Sequence, residues 1–544
     1  MPSSPTVACP PPLHLPYTIH YHQHMHRIKE RLAGFKKSFM SKFAVLYHFL
    51  LLNLNPLFTL VFYFLFISFF GFLMLNKLKI RNPQEKPKDI DMFFTAVSAA
   101  TVSSMSTLEM EVFSNAQLVV LTILMLLGGE IFTSLLGLYF KKSKFSPNTS
   151  LMNQNRTQMV HPGDIELEIS TVIVSMVFDS MESDMLERDK NMKYTAILYL
   201  SYVVLGYLLV IHIGGTVAIM TYIFLVSDSR IILREKGLNI LTFSIFTTVS
   251  SFSNCGFVPT NDNMIVFKKN LGLLLIIVPQ CLLGGTMYPP ALRLALWFLK
   301  KITRKQEFDY ILRDVKQMGY AHLFPWLYSL MLALTVLGFL VVQLVAICAM
   351  EWRNEELGGF SVYGKVVNYL FLAVNARHTG ESTVDLSTIT PAILVLFVFM
   401  MYLPPYTAFM PFKDETSITE EEYHRPESKS IFRSALFSQL SFLSIFVMLI
   451  CVTERDKLSQ DPLNFNVFNI VFEVVSAYGS VGYSIGYSCS RQLTTDSTCR
   501  DLWTGFVGRW STSGKVVLIV VMFFGRLKRY TMRCGTAWKL SYKK

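Results

Sequence analysis

"FEVVSAYGSVG" (Phe472–Gly482) is the last of four stretches that share one grammar. The earlier three are "FFTAVSAATVSSMS" (Phe93–Ser106), "FTTVSSFSNCG" (Phe246–Gly256) and "FLAVNARHTG" (Phe371–Gly380). Each opens on an aromatic residue, runs apolar for roughly half a bilayer span, and then turns polar. One such stretch would pass for a solvated loop whose glycines serve turns; four at equivalent places are an internal repeat. A half-helix that stops at membrane depth aims its negative carbonyl end at the cavity beyond it, which favours a cation. Non-helical backbone at that depth is tolerated only where it is buried or lines water. Extended residues there offer carbonyl oxygens in place of an ion's hydration shell. Small residues let four backbones converge, and glycine accepts angles that a Cβ penalises. The spacing therefore predicts four re-entrant pore segments with filter residues Ser106, Gly256, Gly380 and Gly482, flanked by the backbone of Met105, Cys255, Thr379 and Val481.

Around these stretches the chain has the composition of a membrane protein. Of 544 residues, 52% are hydrophobic, 44 are Phe and only 16% are charged, where soluble chains carry about a quarter. Eight apolar runs are expected to span a bilayer: Pro56–Leu75, Gln117–Phe140, Thr195–Val226, Gly272–Leu299, Trp326–Met350, Thr390–Met410, Ala435–Val452 and one from Val516. The expected fold is an all-α polytopic membrane protein, four helix–pore-loop–helix repeats around one central pore. Its divisions are a disordered cytoplasmic tail 1–45 and repeats at 46–140, 193–299, 324–411 and 434–544, the last with the C-terminal tail. Cytoplasmic loops fall at 141–192, 300–323 and 412–433. The even helix count and the basic "RIKERLAGFKKSFMSK" put both termini in the cytoplasm. The basic "NKLKIRNPQEKPK" (Asn76–Lys88) opposes that orientation, and the repeat pattern outweighs it.

The formal charge is +12. Basic residues follow apolar runs (Lys141, Lys142 and Lys144; Lys300, Lys301, Arg304 and Lys305; Lys528, Arg529 and Arg533) rather than forming one patch. This suits helix ends on anionic lipid and argues against nucleic acid as a partner. The alternating His20, His22, His24 and His26 lie in a Pro-rich tail with no ordered support for a metal. That tail has no apolar core of a signal peptide. Sequons at Asn148 and Asn155 fall in a predicted cytoplasmic loop and are expected to stay unmodified. Eight cysteines show no zinc spacing. Cys489 and Cys499 share one polar outer segment, where they are either a disulfide or two thiols. No catalytic triad, phosphate loop or cofactor motif is present, so neither an enzyme nor a cofactor is expected.

Acidic residues follow the filters: Glu109, Glu111, Asp262, Glu381 and Asp385. They read either as an outer vestibule that concentrates cations or as solvated charge. Glu109 and Glu111 also suit the dipole at the start of the second helix. Arg526 follows "VVLIVVMFFG" (Val516–Gly525), only half a span long. It either faces the pore from within the membrane or snorkels to the cytoplasmic surface. "GGTMYPP" (Gly284–Pro290) and "LPPY" (Leu403–Tyr406) break the fourth and sixth helices, as hinges or as packing kinks. Glu130 is an isolated acid in an apolar run and needs a buried partner.

Longer motifs make the resemblance specific. "NCGFVPTNDNM" (Asn254–Met264), "VNARHTGES" (Val374–Ser382), "MYLPPYTAFMP" (Met401–Pro411), "DPLNFNVFN" (Asp461–Asn469) and "SAYGSVGYSIGYSCS" (Ser476–Ser490) resemble the plant high-affinity potassium transporter (HKT) family of the Trk/Ktr/HKT superfamily. The resemblance runs from about Phe43 to Trp538. It implies four repeats in one chain, a central cation pore, a plasma-membrane location and a homodimer with one pore per subunit. In that family a serine with three glycines goes with sodium-selective transport, and four glycines go with sodium–potassium symport or potassium permeation. With Ser106 in the first place, the resemblance implies channel-like passage of Na+ held by the carbonyls of Ser106, Gly256, Gly380 and Gly482. Potassium permeation remains the alternative. It also implies an inner barrier at Arg526.

Overall fold

The computed structural model describes residues 56–81, 87–144, 169–410, 439–493, 499, 501–502, 505–531 and 537–539. The tail 1–45 with its histidines, Asn148, Asn155 and the 412–433 loop lie outside the described residues. The first half of the described chain holds α1 (Pro56–Lys77), α2 (Asp89–Thr101), α3 (Asn115–Gly128), α4 (Glu130–Lys144), α5 (Ile169–Leu225), α6 (Ser227–Glu235), α7 (Ile240–Ser253), α8 (Leu271–Gly284), α9 (Tyr288–Thr303) and α10 (Gln306–Arg313). There follow α11 (Trp326–Glu351), α12 (Val362–Asn375), α13 (Pro391–Tyr402), α14 (Gln439–Thr453), α15 (Val467–Gly479) and α16 (Thr512–Thr531). The described residues from Phe64 onward pack as one unit.

Four short helices, α2, α7, α12 and α15, are 13 or 14 residues long and carry the four repeated stretches. Their starts are set by side chains that satisfy the first backbone N–H groups. Asn239 accepts from Leu241 N, Ser361 from Gly364 N and Asn466 from Asn469 N. The exception, α2, has Asp89 and Asp91 in its first turn, where carboxylates complement the helix dipole. Each helix runs out into non-helical backbone that is almost wholly buried. The neighbouring helices supply the cover. One core cluster joins residues of α2, α3, α7, α8 and α12, and a second joins α2, α14, α15 and α16.

The spans depart from eight continuous helices. Among the described residues, three helices are long and apolar enough to cross a membrane: Phe58–Lys77, Asn191–Leu225 and Trp326–Glu351. Two broken pairs qualify together, α3 with α4 bent by 57° and α8 with α9 bent by 83°. The expected second helix breaks at Gly129, and the expected fourth breaks at Gly285–Met287, within the "GGTMYPP" motif. The expected sixth helix stops at Tyr402, ahead of the prolines of "LPPY", which cannot donate to a continuing helix. Its continuation is a short strand, Ala408–Met410, paired in parallel with Ala537–Lys539. The third helix begins at Ile169, inside the segment expected as a loop. The residues responsible, "MESDMLERDKNMKY" (Met181–Tyr194), are rich in Met, Leu, Glu, Lys and Arg, whose helix propensity outweighs their polarity.

Candidate ion-conduction site

The backbone fixes which residues of the four segments correspond. Ser103 N donates to Ser98 O at 2.9 Å, Cys255 N to Ser250 O at 2.9 Å and Val481 N to Ser476 O at 3.1 Å. The residue just before each of these donors, Val102, Asn254 and Ser480, is left-handed and closes its helix. The residue after each donor has positive φ again: 54° at Ser104, 86° at Gly256 and 95° at Gly482, with 69° at Gly380 in the remaining segment. Four residues ahead of that position, the carbonyls of Ala100, Phe252 and Tyr478 press on Gly128, Gly284 and Gly525 of neighbouring helices. A Cβ there would stand 2.1, 1.8 and 2.2 Å from the carbonyl oxygen.

These three registers agree, and they correct the sequence reading. Ser104, not Ser106, occupies the place held by Gly256, Gly380 and Gly482, and Ser103 takes the flanking place expected for Met105. Ser106 stands two residues further on, level with Ser382 and Ser484. Its hydroxyl donates to Leu108 O, as that of Ser382 donates to Val384 O. Ser106 thus closes a turn that the third segment repeats.

The segments touch in sequence. A Cβ on Gly256 would lie 1.6 Å from Thr379 O, one on Gly380 2.5 Å from Val481 O, and one on Gly482 2.1 Å from Ser104 Cβ. A small cavity lies where they meet, lined by Ser104, Ser106, Gly256 and Gly482 among others. The flanking residues Cys255, Thr379 and Val481 are buried, as is Met105. The cavity lining holds no cationic side chain, and extended backbone at such a cavity suits a dehydrated cation.

The acids divide. Glu111 and Asp262 both pair with Lys236, at 2.7 and 3.1 Å. Burial alone would lower the Lys236 pKa, but bonds to the two carboxylates outweigh it and hold the group above its ordinary value. Asn261 donates its amide to Glu109 at 3.0 Å and its backbone N–H to Glu111 at 3.1 Å. The second helix needs none of these charges, since Ser114 and Gln117 form a capping box at its start. Asp385 accepts from Ser387 and starts a short turn of helix. Glu381 departs from the expected vestibule: it is fully buried and accepts from the Ser251 hydroxyl at 2.8 Å, so it ties the third segment to α7.

Arg526 is 1% exposed, so it does not snorkel. The helix that holds it, α16, starts before Lys515 and also continues past Arg526. Its guanidinium donates to Gly128 O, the glycine pressed on the end of α2, and lies 5.6 Å from the Phe64 ring. Glu130 accepts from the Tyr406 hydroxyl at 3.4 Å and stands 3.9 Å from the His322 ring. Cys489 and Cys499 form a disulfide, their Cα atoms 5.9 Å apart.

Two buried polar links escaped the sequence reading. Lys515 of α16 donates to Asp91 of α2 at 2.6 Å. Glu473 of α15 accepts from the Ser484 hydroxyl at 2.6 Å and from Ile485 N at 3.2 Å, bracing the fourth segment from behind. Glu473 carried a signal, a charge inside an apolar run that demands a partner, whereas Asp91 and Lys515 stand at the polar edges of theirs.

Residues 167–538 match the family described as "TrkH: Cation transport protein". A protein of Oryza sativa subsp. japonica named "Probable cation transporter HKT1;4" is 53% identical over 487 residues, 88% of this chain and 96% of that one. The "Sodium transporter HKT1" of Arabidopsis thaliana is 49% identical over 478 residues, 85% and 91% of the two chains. Among solved structures, the potassium transporter TrkH of Vibrio parahaemolyticus aligns over 88% of this chain and 84% of its own, with a TM-score of 0.47 and 13% identity.

Proposed function

Because the chain belongs to the HKT family of the Trk/Ktr/HKT cation transporters, we propose that it passes sodium selectively and passively through a filter of Ser104, Gly256, Gly380 and Gly482. It is a transporter and not an enzyme. The pore is formed by four helix–pore-segment–helix repeats on eight spans, two of them broken, in the plasma membrane with both termini cytoplasmic. The observation that carries this reading is the contact of Gly482 with Ser104, where the serine side chain stands between the fourth and first segments. A Cβ and hydroxyl there narrow one quarter of the ring and limit the backbone of that quarter. Sodium, the smaller ion, still reaches the remaining carbonyls, and potassium loses part of its coordination. Arg526, buried among α16's neighbours, adds a positive barrier on the inner stretch of the ion path, which ions arriving from outside must pass to reach the cytoplasm. The name of the Arabidopsis relative, a sodium transporter, supports the same direction.

The test is the reversal potential in oocytes expressing the full chain, with external sodium and potassium varied separately. A shift with sodium alone is the expected result. A shift with both ions would replace this reading by sodium–potassium symport, and a shift with neither would end it.

A further inference from the structure

A second polar site lies at the bend between α9 and α10, away from the filter. The helix α9 leaves α8 at 83°. Its inward face is Tyr288, Leu292 and Leu296, all fully buried. Its outward face carries Leu294, Trp297, Phe298 and Ile302, each more than half exposed. Bulky apolar residues at such spacing on an outward face fit the acyl boundary of a bilayer, with the helix lying along the interface. Trp at that depth is the usual anchor, since its ring is apolar and its N–H remains wet.

Cations gather where this face ends. Arg304 closes α9 in the left-handed conformation and turns the chain into α10. An open cavity of about 490 Å³ at this turn is lined by Trp297, Lys300, Lys301, Arg304, Lys305 and Asp309, with Gln306. Four cations therefore face one carboxylate, and that carboxylate is taken up by Lys300 at 2.5 Å. Lys305 donates to the Tyr199 hydroxyl at 2.7 Å, which holds its ammonium at the rim. Lys301 lies 5.5 Å over the Trp297 ring. A concave basic site continuous with a lipid-facing apolar stripe fits one occupant: a phospholipid whose acyl chain lies on Trp297 and whose headgroup phosphate enters the cavity.

We infer that Trp297, Lys301, Arg304 and Lys305 form a binding site for an anionic glycerophospholipid.

The test uses the full chain in phosphatidylcholine vesicles carrying either brominated phosphatidylserine or brominated phosphatidylcholine at equal bromine. The Trp297 signal is the difference between wild type and Trp297→Phe. Brominated phosphatidylserine is expected to quench that signal about threefold more strongly, with the preference fading as salt rises. Lys301→Ala/Arg304→Ala should abolish the preference, and Lys301→Arg/Arg304→Lys should keep it. Equal quenching by the two lipids, or a preference indifferent to salt, would overturn the site. So would no quenching by either, which would mean that protein covers this face. Sodium flux is not the readout, so failure here leaves the filter reading standing.

Discussion

Ser104→Gly should admit potassium, and Ser106→Gly should not. Ser104 sits at φ 54°, a left-handed position that costs an L-residue about 1–2 kcal/mol. Glycine removes that cost and adds roughly 0.5–1 kcal/mol of chain entropy, so folding stays near neutral and surface expression should hold. The selectivity effect is larger. With the side chain gone, nothing on the first segment occupies the space facing Gly482, and its carbonyl is free to pivot toward a larger ion. A hydrogen bond to a charged group is worth about 1.5–3 kcal/mol, and an ion–carbonyl contact is comparable. Recovering about half of one such contact for potassium, about 1.4 kcal/mol, is a tenfold change in relative permeability. For a monovalent ion that moves the sodium–potassium reversal potential by ~59 mV.

Ser106→Gly removes only the turn bond to Leu108, and a change under about twofold, below ~18 mV, is expected. Voltage clamp of both variants, with surface protein measured by biotinylation, decides between them. A Ser104→Gly shift within noise of wild type, or a larger shift for Ser106→Gly, would refute both the register and the coordination argument.

Three further outcomes follow from the same geometry. Gly482→Ser should abolish transport, because its Cβ would meet Ser104 Cβ at 2.1 Å. In a Ser104→Gly background the nearest obstacle left is the Cα of residue 104 at 3.1 Å, so flux assays should show partial recovery of the double variant over Gly482→Ser. Arg526→Gln should raise inward sodium current and weaken rectification, since it removes a buried charge from the inner side of the path; currents unchanged in both respects would sink the barrier role. Lys236→Ala frees Glu111 and Asp262. At low ionic strength it should raise current at limiting sodium by about twofold, in keeping with the modest strength of part-exposed pairs, and the gain should vanish at high salt.

The fold was legible in outline because half-span apolar runs and their polar ends repeat, and repetition is a signal that single loops lack. What was lost was register. Reading each stretch to its last small residue led to Ser106, since "SSMS" offers three serines and glycine is missing from that segment. A better anchor was present. The pair Val97-Ser98 recurs as Val249-Ser250 and Val475-Ser476, and counting six residues on from each serine reaches Ser104, Gly256 and Gly482. The third segment lacks the pair, which hid the pattern. The buried fate of Glu381 was not legible at all. An acid after a filter looks the same in sequence whether it meets water or Ser251. The helix breaks were visible as Gly and Pro clusters at "GGTMYPP" and "LPPY", but the one at Gly129 was not, because "GGEIF" carries no proline.

A ring whose four sides belong to one polypeptide is encoded four times over, once for each side. In an assembly of identical subunits, one codon alters every side together. A change worth about 1.4 kcal/mol per side would then be multiplied fourfold, and a tenfold preference would become one of about ten thousand. Here the contact between Gly482 and Ser104 can be altered while Gly256 and Gly380 keep theirs. Ion preference in such a chain can drift in small steps, each compatible with a working pore, so closely related genes can diverge in what they carry without passing through an inactive intermediate.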